Sequence, residues 1–146
     1  MPTRTAVTRW TGTLEAGSGS VELASSRAGT YQVSFPRRSA DDAAGVTSPE
    51  ELIAAAHTAC YAMQLSALIA GAGATPGSLD VSAEVTLGPD PVGGFRLTGI
   101  VLRVRGELDG LDEEEFVEVA RQAKLTCPVS KALTGVPITL DAALAA

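Results

Sequence analysis

The feature that most constrains the fold is a long, uncharged apolar stretch from Leu52 to Ala74. It is interrupted by the polar side chains of His57, Thr58, Gln64 and Ser66 and is built largely on Ala, which favours a buried helix over a membrane span. Because such a helix is apolar or small nearly all round, we expect most of its faces to be covered by other parts of the protein.

The start and the end of this helix are both marked in the sequence. Ser48 can cap the first turn, Pro49 is tolerated at the first helical position, and Glu51 stands three residues after the cap. Gly71 and Gly73 are expected to end the helix. The segment therefore predicts one long core helix.

Length and charge narrow the class of protein. The chain has 146 residues, enough for one domain with one core, and its 11 Lys and Arg against 17 Asp and Glu give a formal net charge of -6. No basic run is long enough to follow a phosphate backbone, so nucleic acid is not an expected partner. The first residues are followed by Trp10 and a Gly/Ser turn rather than by an apolar signal core, which indicates a cytoplasmic protein with no membrane partner.

The rest of the chain alternates strand-like runs with two shorter helices. The strand-like runs are residues 5–10, 20–24, 30–35, 79–87, 95–108 and 137–144. Residues 36–47 suit a surface loop, Asp112 and Glu115 predict the start of an amphipathic helix, and Pro128 opens a short helix ended by Gly135. The order β-β-β-α-β-β-α-α-β predicts an α+β fold of mostly antiparallel sheets, in a single domain over residues 1–146.

Two cysteines are the residues best suited to chemistry. Cys60 lies in the long helix three positions after His57, where a buried structural Cys and a satisfied core His are the ordinary interpretations. Cys127 precedes Pro128 and so stands at or beside a helix N-cap, which favours a thiolate and makes it the more acidic thiol by local physics, although it can also be a plain capping residue. One His and two Cys lack zinc-like spacing, so neither a metal nor a cofactor is expected.

Two segments resemble the cysteine motifs of the OsmC/Ohr family, the osmotically inducible and organic hydroperoxide resistance proteins. The first segment is Ser48-Pro49-Glu50-Glu51-Leu52-Ile53-Ala54-Ala55-Ala56-His57-Thr58-Ala59-Cys60-Tyr61. The second is Cys127-Pro128-Val129-Ser130-Lys131-Ala132-Leu133, followed by the closing strand Ile138-Thr139-Leu140. The resemblance runs from Trp10 to the end of the chain, and the spelling just before Cys60 is more similar to the OsmC branch.

The resemblance implies an OsmC-like fold, with sheets packed around a long central helix in an intertwined homodimer. It also implies a stress-response thiol peroxidase in which Cys60 attacks the peroxide and becomes a sulfenic acid, which Cys127 resolves as a disulfide. A dithiol, of the lipoyl type on the Ohr side of the family, is the implied reductant. Apolar surroundings would favour organic hydroperoxides over hydrogen peroxide.

The resemblance also assigns an arginine and a glutamate to the site. Arg37 and Arg38 are both candidates for the arginine, and the position two residues after Pro36 favours Arg38. Glu50 matches the family's glutamate but stands ten residues before Cys60, roughly 15 Å along one helix. It is therefore expected to hold Arg38 or to act from the partner subunit.

Two other functions remain open at this point. A non-catalytic, stress-induced binding protein on the same fold would leave Cys60 and Cys127 without a redox role. A Cys-dependent hydrolase using His57 is less favoured because no orienting carboxylate accompanies that His in the sequence.

Overall fold

The computed structural model describes residues 1–145, and these residues form two compact units, Met1–Leu52 and the residues from Ile53 onward. The strands are β1 (Val7–Thr11), β2 (Ser18–Glu22), β3 (Thr30–Val33), β4 (Thr75–Pro89), β5 (Phe95–Asp109) and β6 (Ile138–Leu144). The helices are α1 (Phe35–Arg38), α2 (Pro49–Gly71), α3 (Glu113–Thr126) and α4 (Pro128–Ala132). The α+β class is confirmed, whereas the single domain stays a prediction.

The first unit contains a three-stranded antiparallel sheet in the order β1-β2-β3. Val21 of β2 faces Thr8 of β1 and Tyr31 of β3, and it is the buried apolar side chain of this sheet. A bridge between Val33 and Thr47 then returns the chain to the end of β3. The start of α2 is thereby brought back toward the sheet of its own unit.

A short helix replaces the beginning of the loop predicted over residues 36–47. The loop prediction is wrong for Pro36, Arg37 and Arg38, which belong to α1. The hydroxyl of Ser34 accepts a hydrogen bond from the backbone N–H of Arg37, and Pro36 lies in the first turn, where its missing N–H costs nothing. These local effects fix the backbone that carries Arg38.

The long helix α2 begins as the sequence predicts. The Ser48 hydroxyl accepts a hydrogen bond from the Glu51 backbone N–H at 3.1 Å, and the helix ends at Gly71. In the second unit its buried row is Tyr61, Leu65 and Ile69, each four residues after the last. This row packs in the core of the second unit.

The opposite face of α2 is exposed among the residues that the structure describes. The expectation that most of its faces would be covered is wrong for the described residues, because only 22% of an 18-residue window of α2 is buried. Met63 is 73% exposed, and the side chains around it are small because α2 is rich in Ala. By length and composition α2 could cross a membrane, a test that the core helix of a soluble protein also passes.

The second unit contains a sheet in the order β4-β5-β6. The predicted hairpin of β4 and β5 is confirmed, and β6 pairs with β5 in parallel. Three of the four strand pairings among the described residues are antiparallel. Ile100, Leu102 and Val104 of the central strand β5 are buried on one face. Arg103 and Arg105 point to the other face, as their alternation in the sequence predicts.

Helix α3 covers the same core, and its predicted start is confirmed. Asp112 and Glu115 form a reciprocal capping box, each side chain accepting a hydrogen bond from the backbone N–H of the other residue at 2.9 Å. Phe116, Ala120 and Ala123 form the buried stripe of this amphipathic helix. The C-terminal end of α3 delivers the chain to Cys127.

Candidate active site

The two cysteines meet in the second unit. The Sγ atoms of Cys60, on α2, and Cys127, between α3 and α4, lie 3.2 Å apart within a thiol–thiol hydrogen bond. Both are free thiols, Cys127 is 0% exposed, and Cys60 is half-buried. Their spacing in the sequence could not show this contact, because the β4–β5 hairpin and α3 lie between them.

Hydrogen bonds between α2 and α3 hold this contact in register. The Tyr61 hydroxyl donates to the backbone oxygen of Ala120 at 2.8 Å in the core. One turn further along, the Gln64 side-chain amide donates to the Thr126 hydroxyl at 2.9 Å. Since Tyr61 follows Cys60 and Thr126 precedes Cys127, these hydrogen bonds hold both cysteine backbones where α2 packs against α3.

The local sequence also explains the position of Cys127. Pro128 has no backbone N–H and begins α4, so Cys127 ends α3 and is the N-cap residue of α4, as predicted. Its backbone N–H still donates to Ala123 at 2.8 Å, while its backbone angles have left the helical region. The residue is therefore fixed from both sides, with its side chain directed into the core of the unit.

The surroundings of the two sulfurs push their acidities apart. Burial raises the pKa of the Cys60 thiol, and the neighbouring Cys127 raises it further, while the N–H of Val129 opposes them. Burial also acts to raise the pKa of Cys127, but the N–H and hydroxyl of Ser130, the Cys60 thiol and the N–H of Val129 outweigh it and lower that pKa. Cys127 is the more acidic thiol in the second unit, as its position at a helix start suggests.

His57 is fully buried beside a second polar side chain. Its Nε2 atom lies 2.7 Å from the Ser130 hydroxyl, whereas its Nδ1 atom has no hydrogen-bond partner among the described residues. Burial lowers the pKa of His57, so the ring is neutral at physiological pH. The interpretation of His57 as a satisfied core His holds for one of its two nitrogens.

The first unit holds the other two residues predicted for the site. Arg38 at the end of α1 and Glu50 in the first turn of α2 form a forked ion pair, with Nη2 to Oε1 at 2.7 Å and Nε to Oε1 at 3.1 Å. Arg37 instead donates to the backbone oxygen of Asp42 at 3.3 Å. Of the two arginines left open by the sequence, Arg38 is the one that Glu50 holds.

The ion pair determines the charge state of Glu50. Burial acts to raise the pKa of this carboxyl, but its hydrogen bond from Arg38, its backbone N–H and the Arg38 charge together lower it. Glu50 is therefore an anion at neutral pH and keeps the guanidinium of Arg38 in a fixed orientation. The remaining N–H groups of Arg38 are available to a second acceptor.

An apolar pocket of about 370 Å³ lies beside Arg38 in the first unit. Its walls are mainly apolar side chains from β1, β2 and the ends of the neighbouring elements, and they include Trp10, Leu14, Val21, Phe35 and Leu52. Arg38 is the charged group in its lining. The pocket and Ser130 are features that sequence reasoning did not single out, although Ser130 lies within the second cysteine motif.

The residues described by the structure contain no group of three or more His, Cys, Asp or Glu side chains that could hold a metal ion. In the cluster of His57, Cys60, Cys127 and Ser130, the two thiols are hydrogen-bonded to each other and His57 is hydrogen-bonded to Ser130. The chemistry that this cluster offers is thiol chemistry.

Comparison with known proteins identifies the family. The model of the OsmC-like protein family matches residues 41–141. The peroxiredoxin OsmC of Escherichia coli K12 is 39% identical over 133 residues, covering 90% of each chain. An organic hydroperoxide resistance protein of Xanthomonas axonopodis pv. citri is 32% identical over 123 residues, covering 83% of this chain and 84% of the relative.

Solved structures give the same result for the fold. An organic hydroperoxide resistance protein from Elizabethkingia anophelis matches with a TM-score of 0.79 and 27% identity, covering 99% of this chain and 98% of the other. An organic hydroperoxide resistance protein OsmC from Legionella pneumophila matches with a TM-score of 0.75 and 26% identity, covering 95% and 96%. The chain belongs to the OsmC-like family.

Proposed function

We propose that this protein is a thiol peroxidase that reduces organic hydroperoxides to alcohols, with Cys60 as the attacking thiol and Cys127 as the resolving thiol. The observation that carries the proposal is the distance of 3.2 Å between the sulfurs of two free thiols, whose pKa values are shifted in opposite directions. A disulfide needs sulfurs that can approach to about 2 Å, and a thiol pair already in contact needs little movement to do so. Relatives named as a peroxiredoxin and as organic hydroperoxide resistance proteins support the same chemistry.

The reaction proceeds in two steps. In the first, the Cys60 thiolate attacks the terminal oxygen of the hydroperoxide, the O–O bond breaks, and the alkoxide takes a proton to leave as an alcohol. In the second, Cys127 attacks the resulting sulfenic sulfur and releases water. An external dithiol then reduces the Cys60–Cys127 disulfide by exchange, and a lipoyl-type dithiol is the proposed reductant.

Arg38 and Glu50 complete the proposed site. The thiol of Cys60 has a raised pKa, so it needs a cation to ionise it at neutral pH. We assign that role to Arg38, which also binds the peroxide oxygens, and we assign to Glu50 the role of holding the guanidinium. The forked pair with Nη2 at 2.7 Å from Oε1 supports this division of roles.

The apolar pocket beside Arg38 supports organic hydroperoxides over hydrogen peroxide. A volume of about 370 Å³ accommodates an alkyl or aryl group, and Trp10, Leu14 and Phe35 give it apolar walls. A substrate held there would present its peroxide end to the charged group in the lining. Hydrogen peroxide has no apolar part to bind, so we expect it to be the poorer substrate.

A homodimer is part of the proposal because α2 leaves an apolar face uncovered. The exposed positions on this face are Ala56, Ala59, Met63, Ala67 and Ala70. Small side chains let a second helix approach closely. The net charge of -6 is compatible with the separate proposal that the protein is cytoplasmic. Sedimentation of the reduced protein should give twice the chain mass of 14.9 kDa.

The experiment that tests the function is consumption of cumene hydroperoxide with a dithiol as the reductant. Wild type and the variants Cys60→Ser and Cys127→Ser are compared, with Ser66→Ala on α2 as a control that keeps both thiols. We expect turnover in wild type and control, none with Cys60→Ser, and a single equivalent consumed by Cys127→Ser. No turnover by wild type would leave a binding protein on this fold as the better interpretation, and full turnover by Cys60→Ser would show that Cys60 is not the attacking thiol.

A further inference from the structure

A buried polar pair, His57 and Ser130, has no part in the reaction proposed above. His57 stands three residues before Cys60 on α2, and Ser130 stands three residues after Cys127 on α4. His57 is 0% exposed, Ser130 is 5% exposed, and the Nε2 to Oγ distance between them is 2.7 Å. Burying two polar side chains is costly unless they are bonded, and here one nitrogen, Nδ1 of His57, is left without a partner. A pair kept at this cost invites a functional explanation.

We propose that His57 and Ser130 are a positioning pair that stabilises the thiolate of Cys127 and so speeds the formation of the Cys60–Cys127 disulfide. The effect on Cys127 rests on the buried contact between His57 and Ser130 and on the position of Ser130 in the turn that follows Cys127. The effect on disulfide formation rests on the proposed function, in which Cys127 is the resolving thiol. The two parts are therefore tested separately.

The first step of the argument is the position of the proton on His57. A neutral imidazole carries one proton, and buried N–H groups without an acceptor are rarer in proteins than unmet acceptor atoms. We therefore assign the proton to Nε2, which has a partner, and the lone pair to Nδ1, which has none. In this tautomer His57 donates its hydrogen bond to the Ser130 oxygen.

The second step concerns the proton of the Ser130 hydroxyl. Because the Ser130 oxygen already accepts from His57, its own O–H is directed to another acceptor. We assign that role to the sulfur of Cys127, because Ser130 lies in the first turn of α4, for which Cys127 is the N-cap, both side chains are buried, and a hydrogen bond from this hydroxyl is among the causes that lower the pKa of Cys127. The resulting chain runs from His57 Nε2–H to Ser130 Oγ and from Ser130 O–H to Cys127 Sγ.

This series of hydrogen bonds from His57 through Ser130 favours the charged form of Cys127. A hydrogen bond to an anion is stronger than one to a neutral thiol, and a donor that is itself hydrogen-bonded is a better donor. The N–H groups of Ser130 and Val129 act on the sulfur in the same direction. His57 thus acts on Cys127 through Ser130, without touching the reacting sulfurs itself.

The consequence for the reaction is a resolving thiol that is ready to attack. The Cys127 thiolate attacks the sulfenic sulfur of Cys60, the S–S bond forms, and the S–O bond breaks. The departing hydroxide takes up the proton that Cys127 released and becomes water. The Cys127 sulfur is oxidised and the Cys60 sulfur is reduced by the same amount, so no further oxidant or reductant is required.

Other titratable groups surround this chain and have to be held constant in a test. The titratable side chains that interact with the Cys127 thiol are Cys60 and Tyr61. Burial raises the pKa of Tyr61, so its hydroxyl stays protonated near neutral pH. The thiols are the groups that change charge in that range.

The first test is the ionisation of Cys127 in the Cys60→Ser background, followed by thiolate absorbance near 240 nm as the pH is raised. Loss of the hydroxyl in Ser130→Ala removes a hydrogen bond to a charged group and should lower the thiolate fraction about tenfold at a pH below the midpoint. His57→Leu should lower the thiolate fraction less, about threefold, because His57 acts on the Cys127 sulfur only through Ser130. His57→Gln keeps an N–H donor and should stay near the parent.

The matched control is Ser66→Ala, which removes a hydroxyl from α2, the helix that carries His57. Circular dichroism and the unfolding midpoint identify any variant that has lost the fold. If Ser130→Ala is such a variant, Ser130→Thr is used in its place. Because Ser130→Thr keeps a hydroxyl, its pH midpoint for Cys127 ionisation should equal that of the parent. If Ser130→Ala and His57→Leu leave the Cys127 midpoint of a folded protein unchanged, the positioning pair is refuted. The same holds if His57→Gln shifts it as far as His57→Leu.

The second test separates this inference from the proposed function. Reduced protein with both cysteines is treated with one equivalent of cumene hydroperoxide in the presence of dimedone, which traps sulfenic acid. With Ser130→Ala we expect about tenfold slower disulfide formation and more dimedone on Cys60, at an unchanged rate of peroxide consumption. If wild type forms no sulfenic acid, the proposed function fails, and the titration of Cys127 still decides the positioning pair.

Discussion

The surroundings of Cys127 and Cys60 differ although their sulfurs are 3.2 Å apart. Around Cys127, two backbone N–H groups and the Ser130 hydroxyl outweigh the effect of burial and lower its pKa. Around Cys60, burial and the nearby Cys127 raise the pKa, and the N–H of Val129 is too weak to reverse them. In the second unit, the surroundings therefore lower the pKa of Cys127 and raise that of Cys60.

This difference indicates how the proposed reaction is divided. A resolving thiol needs to be nucleophilic only after a sulfenic acid has formed next to it, so its acidity can be built permanently into the fold. An attacking thiol that is protonated at rest needs a cation to activate it together with its substrate. We propose that Arg38 is that cation, and each prediction below tests the contrast between the two thiols.

The largest effect is expected for Arg38→Met. Loss of the guanidinium removes both the cation proposed to ionise Cys60 and the donor for the peroxide oxygens, so the second-order rate with cumene hydroperoxide should fall about 100-fold. The rate is measured with saturating dithiol, and sedimentation checks that the assembly is unchanged. The remaining activity should rise with pH, because a raised thiol pKa leaves less thiolate at neutral pH.

The matched control for this variant is Arg37→Met. Arg37 donates to the backbone oxygen of Asp42, and Glu50 holds its neighbour Arg38 instead. We expect Arg37→Met to keep at least half of the wild-type rate. An equal loss in both variants would mean that total positive charge, rather than the held guanidinium, activates Cys60.

A smaller effect is expected for Glu50→Gln. The amide still accepts a hydrogen bond from Arg38 but lacks the charge that fixes the guanidinium, so the rate should fall about tenfold. Glu51→Gln is the control, since Glu51 is the exposed neighbour in the same turn. A rate unchanged by Glu50→Gln would remove Glu50 from the proposed site.

The smallest effect concerns the order in which the thiols ionise once Arg38 is removed. A group with a lowered pKa loses its proton at lower pH, so in Arg38→Met the Cys127 thiolate should appear first as the pH rises, followed by Cys60. Thiolate absorbance should then lose its early step with Cys127→Ser and keep it with Cys60→Ser. An early step that survives Cys127→Ser would reverse the contrast between the two thiols.

Local signals in the sequence predicted much of the fold. The Ser48 cap, the Asp112 and Glu115 capping box and the alternation from Ile100 to Val104 depend on residues close in the chain, and the structure confirms them. The short helix α1 was missed because a few local hydrogen bonds to Ser34 and Phe35 decide between helix and loop there. A balance that fine cannot be judged from composition.

In the candidate site, too, local features could be predicted from the sequence, whereas contacts between distant residues could not. The acidity of Cys127 followed from Pro128, a neighbour in sequence, whereas the contact with Cys60 depends on how α2 and α3 pack. Ser130 was overlooked because its role depends on His57, 73 positions away, and nothing in the sequence links the two. The pairing of Arg38 with Glu50 was one of two alternatives, and it needed the geometry of α1 to settle it.

The most direct test of the central claim, that Cys60 attacks and Cys127 resolves, is mass spectrometry of protein treated with one equivalent of cumene hydroperoxide and dimedone. We predict a Cys60–Cys127 disulfide in wild type, dimedone on Cys60 in Cys127→Ser, and no label on Cys127 in Cys60→Ser. Label on Cys127 in Cys60→Ser, with none on Cys60 in Cys127→Ser, would contradict the account and make Cys127, the more acidic thiol, the one that attacks.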